Sequence, residues 1–285
     1  MNPVLLGSLA ALCWGTLDFL AGKVSRAIGP IHVTVTVTAV GLILLSLWLL
    51  AFGTFPVLTQ DGVWWPLLAG AGYAVATLCL FASIASGPVS LAVPVTMSYP
   101  ATSVLVATAL GNAPSIVQLI FVVLILAGVV LVALGEHDGG EPPAPGQRRR
   151  TLILAGLAHV TFVFAVFVGQ KSASQFGEIE SAWISRLAGT AVMLPLLAFP
   201  KESLRSQIPH LPLLTAMALL DALAVSLLFA AGKTAHPELA TVCGSASGAI
   251  TVVLAWIFLK EKIAAARWLG IAATFTGVAA LSAFK

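Results

Sequence analysis

Charge is what this sequence has least of. Of its 285 residues only 9% are Asp, Glu, Lys or Arg, against 59% hydrophobic, and the mean hydropathy is +1.03. Soluble domains carry roughly a quarter charged residues, so a globule of this size would lack the solvated groups to cover its surface. A water-soluble enzyme or nucleic-acid binder is excluded, and the bilayer is the solvent the chain suits. Cysteine is scarce as well. Cys13, Cys79 and Cys243 stand in apolar stretches without CxxC spacing or a neighbouring His, so they imply neither zinc nor a disulfide framework and read as small core residues. No G-x-x-x-x-G-K-[ST] segment occurs, and no soluble stretch is long enough to fold around a nucleotide. No metal and no cofactor is expected. The net charge of +3 does not point to nucleic acid, because Lys and Arg accumulate in the cytoplasmic loops of membrane proteins for reasons of insertion.

What is present is apolar length. A bilayer core takes about 20 residues per helix, and ten segments reach it: 4–22, 32–52, 64–86, 89–110, 116–135, 151–170, 182–199, 212–232, 237–259 and 264–284. The first has no basic n-region and runs longer than a signal h-region, so it reads as a membrane helix. Residues 136–150, EHDGGEPPAPGQRRR, are rich in Pro, Gly and charge and read as a flexible linker between residues 1–135 and 151–285. The two halves echo each other at an offset of 146 to 149 residues: Leu49-Leu50-Ala51-Phe52 recurs as Leu196-Leu197-Ala198-Phe199, Leu80-Phe81-Ala82 as Leu228-Phe229-Ala230, Gly29 as Gly177, and Gly128-Val129 as Gly277-Val278. An odd number of helices per unit inverts the second unit. The fold class expected is therefore an all-α integral membrane protein, ten transmembrane helices as two inverted five-helix repeats around a central cavity. Such repeats point to a secondary transporter, facilitative or ion-driven. Against a channel stands the lack of repeated charge rings or a carbonyl filter sequence. Against an intramembrane enzyme stands Ala246, where a G-x-S-x-G elbow would need serine.

Loop charge sets the orientation. With both termini outside the cytoplasm, ten basic residues, from Lys23 and Arg26 through Arg148, Arg149 and Arg150 to Arg267, lie inside, and only Lys171, Lys233 and Lys285 lie outside. A multi-pass protein of the cell (inner) membrane is expected, with lipid as its surroundings; a monomer would suffice.

Trp14-Gly15 with Phe19 in the first span, Pro94 in the fourth, and Leu259-Lys260-Glu261-Lys262-Ile263 followed by Trp268-Leu269-Gly270 and Gly277-Val278 resemble the EamA-type branch of the drug/metabolite transporter superfamily over nearly the whole chain. The first half departs from the family at Leu110-Gly111-Asn112, where the third position is usually Glu, so any role of that acid survives only at Glu261. Within the branch the chain looks most like the YddG-type exporters of aromatic and other neutral amino acids. The resemblance implies a small-molecule substrate, an amino acid in the first instance, moved outward by alternating access.

Ionisable groups in the bilayer are expensive, about 2.5–3.5 kcal/mol at a helix centre, so Asp18, His159, Arg186 and Asp221 should face protein or a water-filled cavity. Asp221 is either a site for a substrate ammonium or proton, or a partner of Arg186 on the neighbouring span. Asp18 is either a helix-end charge or part of a cavity wall that it shares with Ser8, Ala11, Gly15 and Gly22. His159 is either a proton carrier or a histidine bonded to a neighbouring helix. Trp14, Tyr73 and Tyr99 sit within spans rather than at their ends, so an interfacial role is less available to them, and they suit an aromatic side chain. With Thr77 and Ser245 these residues (Trp14, Asp18, Tyr73, Tyr99, His159 and Asp221) form the expected substrate site. Pro94 and Pro100 in the fourth span and Gly244 and Gly248 in the ninth are the expected hinges.

Overall fold

The computed structural model describes residues 1–86, 95–96, 98–134, 145–198, 204–259 and 265–283. The helices are α1 (Pro3–Ile28), α2 (Pro30–Phe52), α3 (Trp64–Ser86), α4 (Tyr99–Ala109), α5 (Ile116–Leu134), α6 (Pro145–Phe176), α7 (Glu178–Met193), α8 (Leu211–Ala230), α9 (Pro237–Gly244), α10 (Ser247–Leu259) and α11 (Ala265–Ala283). Short 3-10 turns extend α7 at Leu194–Ala198 and α8 at Ala231–Lys233 and precede α8 at Leu204–His210. No strand occurs among the described residues. Among the described residues six helical stretches are long and apolar enough to cross a membrane, and α3, α5 and α11 carry the shorter apolar helices Trp64–Leu80, Ile116–Val132 and Ala265–Leu281.

Two elements differ from the sequence expectation. The span expected at 237–259 is two helices, because the chain turns at Ser245 and Ala246. There the backbone tightens to Ser245 N–H on Val242 O at 3.1 Å and Ala246 N–H on Cys243 O at 3.1 Å, and the Ser245 hydroxyl donates to Val242 O at 2.6 Å. A break at membrane depth needs such local satisfaction. Secondly, α6 starts at Pro145, so Arg148, Arg149 and Arg150 form an exposed helical first stretch rather than loop. Proline is well suited to the first helical position, and the residues after Gly146 are good helix formers. Pro94, Glu261 and residues 136–144 of the linker lie outside the described residues.

The surface is the apolar part. Leu5, Leu12, Ile43, Leu47, Ile120 and Leu223 are exposed, whereas Gln170, Arg186, Glu238 and many Ser and Thr hydroxyls are buried. That inversion fits lipid outside and a polar interior. The helices of one half pack mainly against those of the other: α1 against α8, α3 against α6, α2 against α7 and α8, and α3 against α7. One core cluster joins Leu17, Val24 and Ile28 of α1 to Val33 and Val37 of α2 and Leu214 and Met217 of α8. The pair α5 and α11 stands to one side, its backbones so close that a Cβ on Gly270 would lie 2.7 Å from Gly128 O. Small residues permit this approach where lipid gives no hydrophobic drive between helices. Gly70 of α3 is pressed against the backbone of Ser185 on α7 in the same way.

Two glycines at the helix junctions adopt matching backbone. Gly29, between α1 and α2, has φ 79° and ψ 151°, and Gly177, between α6 and α7, has φ 89° and ψ 161°. This region is essentially open to glycine alone, and it lets two long helices meet at one residue.

Candidate functional site

A cavity of about 150 Å³ lies between α1, α2, α3, α4, α6, α7, α8 and the break after α9. Cavities of that order hold a benzene-sized molecule. No residue of α5 or α11 lines it, in keeping with the side position of that pair.

The charged centre is built from three helices. Arg186 on α7 reaches Asp221 on α8, with Nη1 2.8 Å from Oδ2, and its Nη2 donates to the Asp221 carbonyl oxygen at 3.3 Å. Trp14 on α1 donates its indole N–H to Asp221 Oδ1 at 3.1 Å. Both carboxylate oxygens of Asp221 are thus engaged, and its charge is balanced. The pairing with a neighbouring helix is therefore what the structure shows for Asp221. Asp18 lines the same cavity one turn further along α1 from Trp14, is accessible to water, and has no hydrogen-bond or ion-pair partner among the described residues. With Asp221 paired to Arg186, Asp18 is an acid on this wall without a cationic partner among the described residues.

Three buried polar atoms on this wall have no protein partner: Arg186 Nε, Tyr73 Oη and Thr34 Oγ1. An unmade hydrogen bond at a buried donor costs about 1–3 kcal/mol, and each of these atoms is a donor without a partner among the described residues. Thr38, Ser185, Ser245 and Ser247 add hydroxyls to the lining. The apolar side is aromatic. Tyr99 and Phe162 rings lie 5.4 Å apart, and Tyr73 sits edge-on to Phe162 at 6.0 Å.

Of the residues expected from the sequence, Trp14, Asp18, Tyr73, Thr77, Tyr99, Asp221 and Ser245 meet at this cavity. His159 does not line it. Its ring ties α6 to the start of α4, with Nδ1 3.1 Å from Val95 O and Nε2 2.8 Å from Thr102 Oγ1. A carbonyl only accepts, so Nδ1 carries the proton and Thr102 donates to Nε2, and Ser98 Oγ stands 3.1 Å from Nδ1. Of the hinge candidates, Pro100 is buried in the first turn of α4, and Gly244 and Gly248 flank the turn between α9 and α10.

Sequence reasoning passed over Arg186, Phe162, Thr34 and Thr38 as site residues. Arg186 had a signal, being a cation inside a span. Thr34 and Thr38 stand one helical turn apart and carried a weaker one, a hydroxyl stripe.

A model of the EamA-like transporter family matches the chain twice, over residues 1–134 and 149–283. No curated protein matches it. A protein of known crystal structure superposes with a TM-score of 0.79 over 98% of this chain and 95% of its own, at 20% sequence identity, which shows a shared fold. With the family model covering nearly all of its length, the chain belongs to the EamA-like transporter family and is a multi-pass membrane transporter of small solutes.

Proposed function

We propose that the protein exports neutral amino acids, aromatic ones in particular, by alternating access, in the manner of the YddG-type transporters. One observation carries the reading: an unpaired acid, Asp18, shares a ring-lined cavity with a guanidinium whose Nε is free. A zwitterion needs a cation site and an anion site in low dielectric, and the cavity offers both. The ammonium goes to Asp18, the carboxylate to Arg186 Nε with the Tyr73 and Thr34 hydroxyls, and the side chain to Tyr99, Phe162 and Trp14.

A contact pattern of the kind two inverted five-helix repeats would give supports the alternating-access part. The contacts α1–α8 and α6–α3 exchange under an internal two-fold, α2–α7 and α5–α11 are their own mates, and the family model matches each half separately. Gly29 and Gly177, 148 positions apart, share one backbone conformation at equivalent junctions. The moving parts are the α4 segment with Pro100 and the α9–α10 turn. The basic ends of the spans support an inner-membrane protein with both termini outside the cytoplasm. In intact cells, single cysteines placed at Gly146 and at the C-terminus should react with an impermeant thiol reagent only at the C-terminus.

The decisive measurement is uptake and efflux of radiolabelled phenylalanine and alanine in proteoliposomes, with and without an imposed pH gradient. Saturable phenylalanine flux, lost in Asp18→Asn, is the expected result. If no amino acid moves and expressing cells gain no resistance to toxic aromatic analogues, the substrate assignment is wrong while the family membership stands.

A further inference from the structure

A second cavity, of about 230 Å³, lies one helical turn beyond the first. Along α4 the lining passes from Tyr99 in the first cavity to Ser103 in the second, and along α6 from Phe162 to Val163 and Val166. The Tyr73, Tyr99 and Phe162 rings belong to the wall of the first cavity, and Phe229 lies 6.2 Å from Tyr73. The two cavities therefore adjoin along α4 and α6, with these rings in the wall of the first.

The second cavity has a polar side made of acceptors. Glu238, in the first turn of α9, is 3% exposed. His236 Nδ1–H donates to its Oε1 at 2.9 Å, and its Oε2 has no partner. Gln170 beside it spends its amide N–H groups on Pro237 O at 3.1 Å and Thr241 Oγ1 at 3.3 Å. Asn112 likewise donates to Ala235 O at 2.7 Å. The polar residues bordering the space are thus Glu238, Gln170, Asn112 and Ser103, and among the described residues no Lys or Arg lines it. Opposite stand Val106, Leu110, Val163 and Phe167. A buried carboxylate oxygen without a donor is costly, and the group that would relieve it is a cationic donor carrying an apolar body.

We propose that this cavity is a second binding site, for the ammonium end of an amphiphilic amine, with Glu238 as its anion and the Val106–Phe167 wall as its apolar contact. The solute class rests on the amino-acid reading above: the site would hold the same ammonium before or after the first cavity does. It lacks the guanidinium of the first cavity, so it discriminates less against amines that have no carboxylate.

Titration calorimetry on the purified full chain with 2-phenylethylammonium chloride tests this. Two binding events are expected. Glu238→Gln should weaken one roughly tenfold to a hundredfold, the loss of one charge-assisted hydrogen bond, and Val106→Trp should remove the same event by filling the space while leaving Glu238 intact. Asp18→Asn should remove the other event only. Each variant is compared with the parent by thermal unfolding. A single event sensitive to Asp18→Asn and indifferent to both Glu238→Gln and Val106→Trp overturns the second site and leaves the first. A single event with the opposite sensitivities keeps the second site and overturns the first. No binding at all overturns both.

Discussion

Replacing Asp221 by Asn changes one charge and almost no volume in a pair whose side chains are only 10% and 19% exposed. The amide oxygen can still accept from the Trp14 indole, and Arg186 Nη2 keeps its bond to the Asp221 carbonyl. What disappears is the ion pair at 2.8 Å, and what remains is a guanidinium 8% exposed without its counter-charge. Stranding one member of a buried pair costs about 3–5 kcal/mol. Asp18 lines the same cavity and offsets part of this, which places the expected loss near the lower end, about 3 kcal/mol. In a chain of this size that lowers the apparent Tm by roughly 5 °C. Removing both charges, as Arg186→Met with Asp221→Leu, should be close to neutral, since apolar groups of similar volume replace buried pairs without penalty. Asp18→Asn should leave Tm unchanged or raise it, because it removes an acid that has no partner among the described residues. All three variants should lose transport. Scanning fluorimetry of purified protein together with proteoliposome flux reads both quantities. A double variant that falls by the sum of its single effects, or an Asp221→Asn protein as stable as the parent, would refute the view that the pair acts as a unit.

Tyr99→Ala should raise the KM for phenylalanine and tryptophan by on the order of tenfold, from loss of one stacked ring, while changing alanine transport little; competition assays in proteoliposomes give the ratio. Gly29→Ala meets no neighbour within 4 Å, so its cost is backbone strain alone, about 1–3 kcal/mol, read as a lower Tm with unaltered substrate selectivity. His159→Phe should cost about 1–2 kcal/mol through the lost bonds to Val95 and Thr102 and leave the pH profile of transport as it was, because the ring lies off the cavity.

The parts of the site that could be read from the sequence are those where membrane cost leaves few options. An Asp, an Arg or a mid-span Tyr has to face something other than lipid, and Asp18, Asp221, Tyr73 and Tyr99 do. His159 obeys the same rule and still lies elsewhere, because a buried histidine is satisfied equally by a neighbouring helix, and α6 is apolar around most of its circumference. Its face toward the cavity, Phe162, is one turn from His159 and cannot be told apart without the partner helices. In α2 the run Val33-Thr34-Val35-Thr36-Val37-Thr38 alternates with a period of two, which in isolation suggests a strand. Length and context make it a helix, and only then do Thr34 and Thr38 fall on one side, with Thr36 directed to Gln207. The glycines at 244 and 248 located the break in the ninth span to within a turn. Which of its hydroxyls would line the cavity depended on the other helices that converge there.

Because α1 packs on α8, α2 on α7 and α8, and α3 on α6 and α7, nearly every helix of the first half waits for a partner from the second. The ribosome must add roughly 180 residues after Ile28 before Leu211 appears. At about 5–20 residues per second that interval is roughly 10–35 s, during which the faces of α1 that carry Asp18 and Trp14 stand in the membrane without their neighbours. Biogenesis therefore depends on something holding the early helices, lipid, translocon or chaperone, until the late ones arrive. A chain truncated after α5 should be degraded, whereas the two halves expressed together as separate polypeptides should reassemble, since side-chain packing and not the connecting segment joins them.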